Sequence, residues 1–288
     1  MQTTISTEKI NVTIDSFGAE LHSLKLGNTE YLWQAEPTVW KRHAPVLFPF
    51  ICNTESKKYY YDGEEYTLSN HGFARDSEFE LVSVTDTESE FLLKATDETK
   101  LKYPFDFNLF VKYMVDNNKL TVTYTVKNTD NKDIYFFIGG HPAFRVPLND
   151  NESFDDYYVE YEVNENIVQE FNGKSTIILD NANKVSLSHE LFANDVFMKD
   201  IPNSSWVALA NKNGRRVKLN YDNSGCIAVW SSYFADKALT EKAEFVCLEP
   251  WSSVPVYCDM EEDITRMSHA IKLAPANEYI FTYSIEIE

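Results

Sequence analysis

The sequence is poor in the features that mark most large functional classes. It has four cysteines, Cys52, Cys226, Cys247 and Cys258, with no C-x-x-C pair and no zinc-ligand spacing. Two disulfides are possible by count, but buried, reduced thiols in a cytoplasmic protein are the better reading. Basic residues are scarce: 26 Lys and Arg face 45 Asp and Glu, for a net charge of −19. Such a surface repels phosphate backbones and anionic bilayers, which argues against nucleic acid or a membrane as partner. A local basic pocket for a small anion stays open. No apolar run approaches the length of a membrane span. Residues 1–5 lack the basic and apolar regions of a signal peptide, so a cytoplasmic location is expected. Phosphate-cradling and dinucleotide glycine patterns and a G-x-S-x-G elbow are all missing. Two histidines and a carboxylate could ligate a metal, but no H-x-H or H-E-x-x-H pair supports it. No metal and no cofactor are therefore assigned.

What is present is strand signal. Aromatic residues make up 14% of the chain, a composition that leans towards sheets and sugar-stacking surfaces. Residues 120–126 alternate polar and apolar and are rich in β-branched side chains; residues 79–84 and 91–95 are similar. Asp62-Gly63, between residues 59–61 and 64–68, supplies the positive φ angles of a tight hairpin. Asn213-Gly214, between residues 207–210 and 217–221, does the same, and Asn172-Gly173 is a third candidate. Helix signals are few: a short turn at residues 190–192 and another within residues 264–271. The acidic stretch 150–170 is interrupted by aromatic and aliphatic residues and reads as a strand with one solvated face. With no linker, repeat or low-complexity tract, residues 1–288 read as one domain. It is all-β, a large antiparallel β-sandwich.

Two apolar runs end in groups that carry protons. One is Tyr135-Phe136-Phe137-Ile138-Gly139-Gly140-His141-Pro142; the other is Phe245-Val246-Cys247-Leu248-Glu249-Pro250-Trp251. Apolar residues on both faces mean a strand covered on both sides. A carboxylate delivered there loses water, which raises its pKa and suits general acid–base work. Phe245, Cys247 and Glu249 share one face of an extended run, Val246 and Leu248 the other. The dull alternatives are that Glu249 already stands in water or forms a structural ion pair, and that His141 is a turn residue. The glycines before His141 permit a bulge or close approach by a ligand. His71 precedes Gly72 in a segment where Arg75 has Asp76 as a ready surface partner. Asp195, in Asn194-Asp195, reads locally as a turn residue bonded to its own backbone. Trp33, Trp40, Trp230 and Trp251 read as core before ligand platforms.

Taken together, these segments resemble the aldose 1-epimerase (galactose mutarotase) family, nearest its LacX-like branch of shorter bacterial proteins. The resemblance runs almost end to end. It begins at Phe17-Gly18-Ala19-Glu20-Leu21 and passes through Ala44-Pro45-Val46-Leu47-Phe48-Pro49-Phe50, His71-Gly72-Phe73-Ala74-Arg75 and Gly140-His141-Pro142-Ala143-Phe144. It continues at Leu191-Phe192-Ala193-Asn194-Asp195 and closes at Val246-Cys247-Leu248-Glu249-Pro250-Trp251. The family implies a β-supersandwich that binds a sugar in a cleft without metal or organic cofactor. By similarity, Glu249 is the base for the anomeric hydroxyl and His141 the acid for the ring oxygen. His71 steadies that oxygen, Asp195 binds sugar hydroxyls, and Trp230 walls the cleft. One departure stands out. Many relatives carry Gly-Arg after the Phe-Pro element, where this chain has Ile51-Cys52-Asn53-Thr54. Asn53 offers only a neutral hydrogen bond, and Arg75, Lys57 or Lys58 are the candidates to compensate. The resemblance implies a monosaccharide substrate, free or phosphorylated, and a monomer or homodimer is expected. The leading expectation is anomer interconversion of an aldohexose. A hexose 6-phosphate 1-epimerase and a non-catalytic sugar-binding protein or sensor stand behind it.

Overall fold

A computed structural model describes residues 1–67, 69–214, 216–221, 225–259 and 261–288. Strand accounts for 51% of it and helix for 8%, an all-β architecture. Nine strands form the larger sheet, in the order Lys174–Ser186, Tyr157–Phe171, Trp206–Asn211, Arg216–Tyr221, Glu278–Ile287, Lys119–Asn128, Phe107–Asp116, Glu88–Lys94 and Glu80–Val84. A six-stranded sheet runs Phe197–Asp200, Cys226–Trp230, Phe245–Trp251, Gly139–Gly140 and Val46–Leu47, with Ala143–Arg145 also paired to Phe245–Trp251. Pairing within both is antiparallel. A four-stranded sheet holds Gln2–Ser6, Ile10–Asp15, Glu20–Leu26 and Thr29–Glu30.

The period-2 pattern explains the register of the large sheet. Leu109, Val111, Tyr113 and Val115 stand opposite Val126, Tyr124, Val122 and Leu120, and all eight are buried. A one-residue slip would turn that set to water, so burial locks the pairing. The two sheets meet at Tyr283, whose hydroxyl bonds that of Tyr124 at 3.1 Å and lies against Gly140. A Cβ on Gly140 would stand 2.8 Å from the Tyr283 hydroxyl, and one on Gly139 2.7 Å from Cδ1 of Trp251. The glycine pair therefore permits a close approach, here by the side chains of Trp251 and Tyr283.

The Asp62-Gly63 and Asn172-Gly173 hairpins form with both residues at positive φ. At Asn213-Gly214 only Gly214 takes that conformation, and the last paired residues are Ala210 and Arg216, so the connection is longer than a two-residue turn. Leu68, included in the first hairpin's second strand, lies outside the described residues. The acidic stretch is strand from Tyr157 to Phe171, alternately buried in its first half. His189–Phe192 is a 3-10 turn, as expected there, and the turn expected within residues 264–271 forms without extending to a helix, before strand begins at Ile271. Hydrogen bonds from Arg266 and Met267 N–H to the Asp263 carbonyl close a single turn, and pairing of Ile271–Leu273 with Ile134–Phe136 ends it. Two short helices, Asp97–Lys100 and Lys237–Glu241, were not anticipated; Thr96 and Asp236 cap them.

The run before His141 is two strands, not one. The carbonyl of Pro49 accepts the Phe137 N–H at 2.8 Å, and the chain then leaves Ile134–Phe136 for the six-stranded sheet. Glu249 is inside its strand, not at its end: all seven residues of Phe245–Trp251 are buried. Replacing Gly140 by Ala should cost about 1–3 kcal/mol through overpacking against Tyr283. Urea unfolding of Gly140→Ala checks this, and an unchanged midpoint would contradict the packing described.

Candidate active site

The strand Phe245–Trp251 separates two apolar layers. Val246 and Leu248 join the main core, while Phe245 and Cys247 join a smaller cluster with Val39 and Ala143, covered by Trp33, Trp40, Trp230 and Phe234. Glu249 shares the parity of Phe245 and Cys247 and reaches the floor of a cleft of about 940 Å³. All seven residues singled out from the sequence line this cleft: Asn53, His71, Arg75, His141, Asp195, Trp230 and Glu249. They come from six separate stretches of chain, and only the fold joins them.

His141 follows the Gly139–Gly140 strand directly, so its ring projects where that backbone meets Trp251. Trp40 stacks on the imidazole at 5.1 Å, and Trp230 and His71 meet it edge-on at 5.7 Å and 5.5 Å. Nε2 of His141 lies 3.1 Å from Oε2 of Glu249, in close contact but without hydrogen-bond alignment. Glu249 is 1% exposed and His141 6%. Burial pushes the Glu249 carboxyl well above its ordinary 4.5, and the charge of Asp195 adds to the effect. Burial also pulls the His141 imidazole below its ordinary 6.5, reinforced by Arg75 and Arg42. Both shifts favour the neutral forms, a protonated carboxyl beside an unprotonated imidazole. Nδ1 of His141 and Oε2 of Glu249 are buried with no protein hydrogen-bond partner. Unsatisfied polar atoms on a cleft floor are suited to a ligand's hydroxyls.

His71 has a fixed tautomer. Its Nδ1 accepts the Cys52 N–H at 3.0 Å, and its own N–H donates to the Cys52 carbonyl at 2.9 Å. Nε2 therefore carries the proton and is the ring's donor. Burial and the neighbouring His141 hold this imidazole neutral, well below 6.5. Gly72 makes the geometry possible. Its φ is +73°, and a Cβ there would stand 2.2 Å from the Phe48 carbonyl oxygen.

Arg75 sits on the 3-10 turn Ala74–Asp76 and donates to the Asn70 carbonyl at 2.6 Å. The surface ion pair with Asp76 is the lesser part of its setting: the distance is 3.8 Å, and Arg42 approaches Asp76 more closely, at 2.7 Å. Arg42 also donates to the Arg75 carbonyl at 3.2 Å and lines the cleft, as does Lys41. Lys57 and Lys58, proposed as substitutes for the missing arginine, do not line it; Lys58 pairs with Glu65 at 2.8 Å. Charged side chains on solvated loop tips gain more by staying in water than by entering a cleft. Asn53 accepts the Thr54 N–H at 3.0 Å.

Asp195 has φ +68°, and its backbone N–H donates to the Phe192 carbonyl, so it stands in a turn as expected; that turn is closed by backbone and not by the Asp195 side chain, which lines the cleft. Its loop is tied down by a residue the sequence did not single out. The buried amide of Gln169 donates to the carbonyls of Asn194, Asp195 and Val196 at 3.0, 3.1 and 3.0 Å. Trp40, read as core, and Arg42 were also missed. Trp40-Lys41-Arg42 has no local motif, and its side-chain contacts with Arg75, Asp76 and His141 reach residues more than thirty positions away.

Residues 1–258 match the model of the aldose 1-epimerase family. The chain belongs to the aldose 1-epimerase family. Among curated proteins it is similar to the plasmid and chromosomal LacX proteins of Lactococcus lactis subsp. lactis, at 29% and 28% identity, with 98% of each chain covered. Among solved structures it resembles a galactose mutarotase related enzyme from Lactobacillus acidophilus at 30% identity and a TM-score of 0.92. That match covers 100% of this chain and 97% of the other. A galactose mutarotase-like protein from Lactobacillus casei matches at 30% identity and a TM-score of 0.89, with full coverage of both chains. The aldose 1-epimerase fold thus extends over the described chain, and the four cysteines within it are free.

Gln169→Leu removes all three loop tethers that this buried amide supplies. Its expected cost is about 1–3 kcal/mol in urea unfolding; a loss below about 0.5 kcal/mol would show the tethers to be replaceable by water.

Proposed function

We propose that the protein interconverts the α and β anomers of an aldohexose by opening and closing the hemiacetal ring. The observation that carries this reading is the 3.1 Å approach of His141 Nε2 and Glu249 Oε2 on the cleft floor. The ring oxygen and the anomeric hydroxyl of a pyranose are bonded to one carbon. A donor and an acceptor that serve both oxygens must therefore open on one small region, and a pair in contact on the cleft floor meets that requirement. Glu249 takes the proton of the anomeric hydroxyl while His141 protonates the ring oxygen. The C1–O5 bond breaks, the C1–O1 bond becomes a carbonyl, and the open aldehyde forms. Rotation about C1–C2 presents its other face, and closure reverses both transfers. His71 Nε2–H donates to the ring oxygen as charge develops, and Asp195 accepts from sugar hydroxyls.

The resting pair already contains the one proton this chemistry needs. Neutral acid beside neutral imidazole, and carboxylate beside imidazolium, carry the same number of protons. A sugar hydroxyl donating to Glu249 favours the carboxylate and moves the proton to His141. Turnover then needs no exchange with solvent to begin.

A second reading, hexose 6-phosphates as substrates, is favoured by one observation: Arg42 and Arg75 line the cleft of a strongly acidic chain. Burial and Arg42 lower the Arg75 guanidinium to about 10, which leaves it charged at neutral pH.

Polarimetry on freshly dissolved α-glucose, α-galactose and their 6-phosphates tests both readings. Acceleration of the free sugars supports the first; acceleration of the phosphates alone supports the second. Binding without acceleration of any would leave a sugar-binding protein. His141→Ala and Glu249→Gln should each lower kcat by about 10²–10⁴ with unfolding midpoints retained, and near-normal rates in either would end the assignment.

The pH profile follows from the two shifts. As pH falls, activity is lost when the pair takes a second proton and has no base; depression of His141 places that limb below 6.5. As pH rises, activity is lost when the pair gives up its last proton and has no acid. Elevation of Glu249 places that limb above 4.5. A kcat/KM acid limb at or above 6.5 would contradict the burial argument.

A further inference from the structure

Cys247 plays no part in the chemistry above, yet it stands beside both groups that do. One donor atom each from His141, Cys247 and Glu249 lie within 4.8 Å of one another, and all three residues are buried. The His141–Glu249 separation of 3.1 Å is close to the edge of a tetrahedral zinc site, about 3.3 Å for metal–ligand bonds of about 2.0–2.1 Å. Oε2 of Glu249 has no protein hydrogen-bond partner, so a cation there displaces no existing bond from that atom. The cleft leaves the fourth position open to water or a sugar oxygen.

We propose that His141, Cys247 and Glu249 form an inhibitory site for a thiophilic divalent ion, with Zn²⁺ as the natural fit and Co²⁺ as its spectroscopic surrogate. Imidazole, thiolate and carboxylate are the donor types zinc takes, and the thiolate selects against Mg²⁺ and Ca²⁺. Coordination displaces the thiol proton and the proton held by the acid–base pair, so the bound ion removes the donor and acceptor together. A second cluster, Glu20, His22 and His43, is less suited. Oε1 of Glu20 already accepts the N–H groups of His43 and Ala44 at 2.7 and 2.9 Å. The two imidazoles there stack at 4.2 Å in planes 22° apart, which keeps their lone pairs from converging on one ion.

The inhibition arm rests on the acid–base reading of the same pair; the binding arm does not. Co²⁺ titration of the full chain without sugar should give a cobalt–thiolate charge-transfer band that saturates at one equivalent. Cys247→Ser and Cys247→Ala should lack it, and His22→Asn should keep it. In polarimetry, Zn²⁺ should inhibit the wild type, EDTA should restore the rate, and Cys247→Ser should need at least about tenfold more Zn²⁺. The proposal is overturned if the wild type shows no band, if both Cys247 variants keep an undiminished band, or if Zn²⁺ inhibits Cys247→Ser as it does the wild type. A cobalt band in a protein that anomerises no sugar would uphold the metal site while removing the proposed function. Anomerisation without a band would do the reverse.

Discussion

The structure depends on a strand that has no wet face. Phe245–Trp251 lies between the main core and an aromatic layer built by Trp33, Trp40, Trp230 and Phe234. A carboxylate placed there cannot be solvated by bulk water, and the cost appears as a raised pKa. The same aromatic layer desolvates His141 from above through Trp40. One packing arrangement therefore shifts an acid upward and a base downward. The two stand 3.1 Å apart.

Backbone, more than side-chain ion pairs, keeps this arrangement in place. His71 is held by two hydrogen bonds to Cys52 and by a left-handed turn that only Gly72 allows against Phe48. His141 hangs from a glycine pair pressed between Trp251 and Tyr283. Asp195 is on a loop whose carbonyls are collected by one buried amide. Hydrogen bonds to buried backbone are costly to leave unmade, which gives these positions more rigidity than surface charge pairs provide.

The chain has a charge contrast. A net charge of −19 surrounds a cleft that carries Lys41, Arg42 and Arg75. Arg42 touches Asp76 and the carbonyl of Arg75, so the two arginines form one unit on the cleft wall. Asn53 brings no charge to the cleft, which these cations supply.

Alternation, turn dipeptides and aromatic content were enough to specify an all-β sandwich with its main hairpins, because these signals act over a few residues. The sequence also marked the proton-carrying groups, since His141 and Glu249 interrupt apolar runs in which a charge is out of place. Short-range signals did not reveal that Glu249 is inside its strand or that the run before His141 changes sheets. Each outcome is set by pairing with distant segments: Cys226–Trp230 for Glu249 and Pro49 for Phe137. Arg42, Trp40 and Gln169 were not legible in advance for the same reason. Their roles are distances to atoms remote in the chain, and only the closing of one sheet over another determines those.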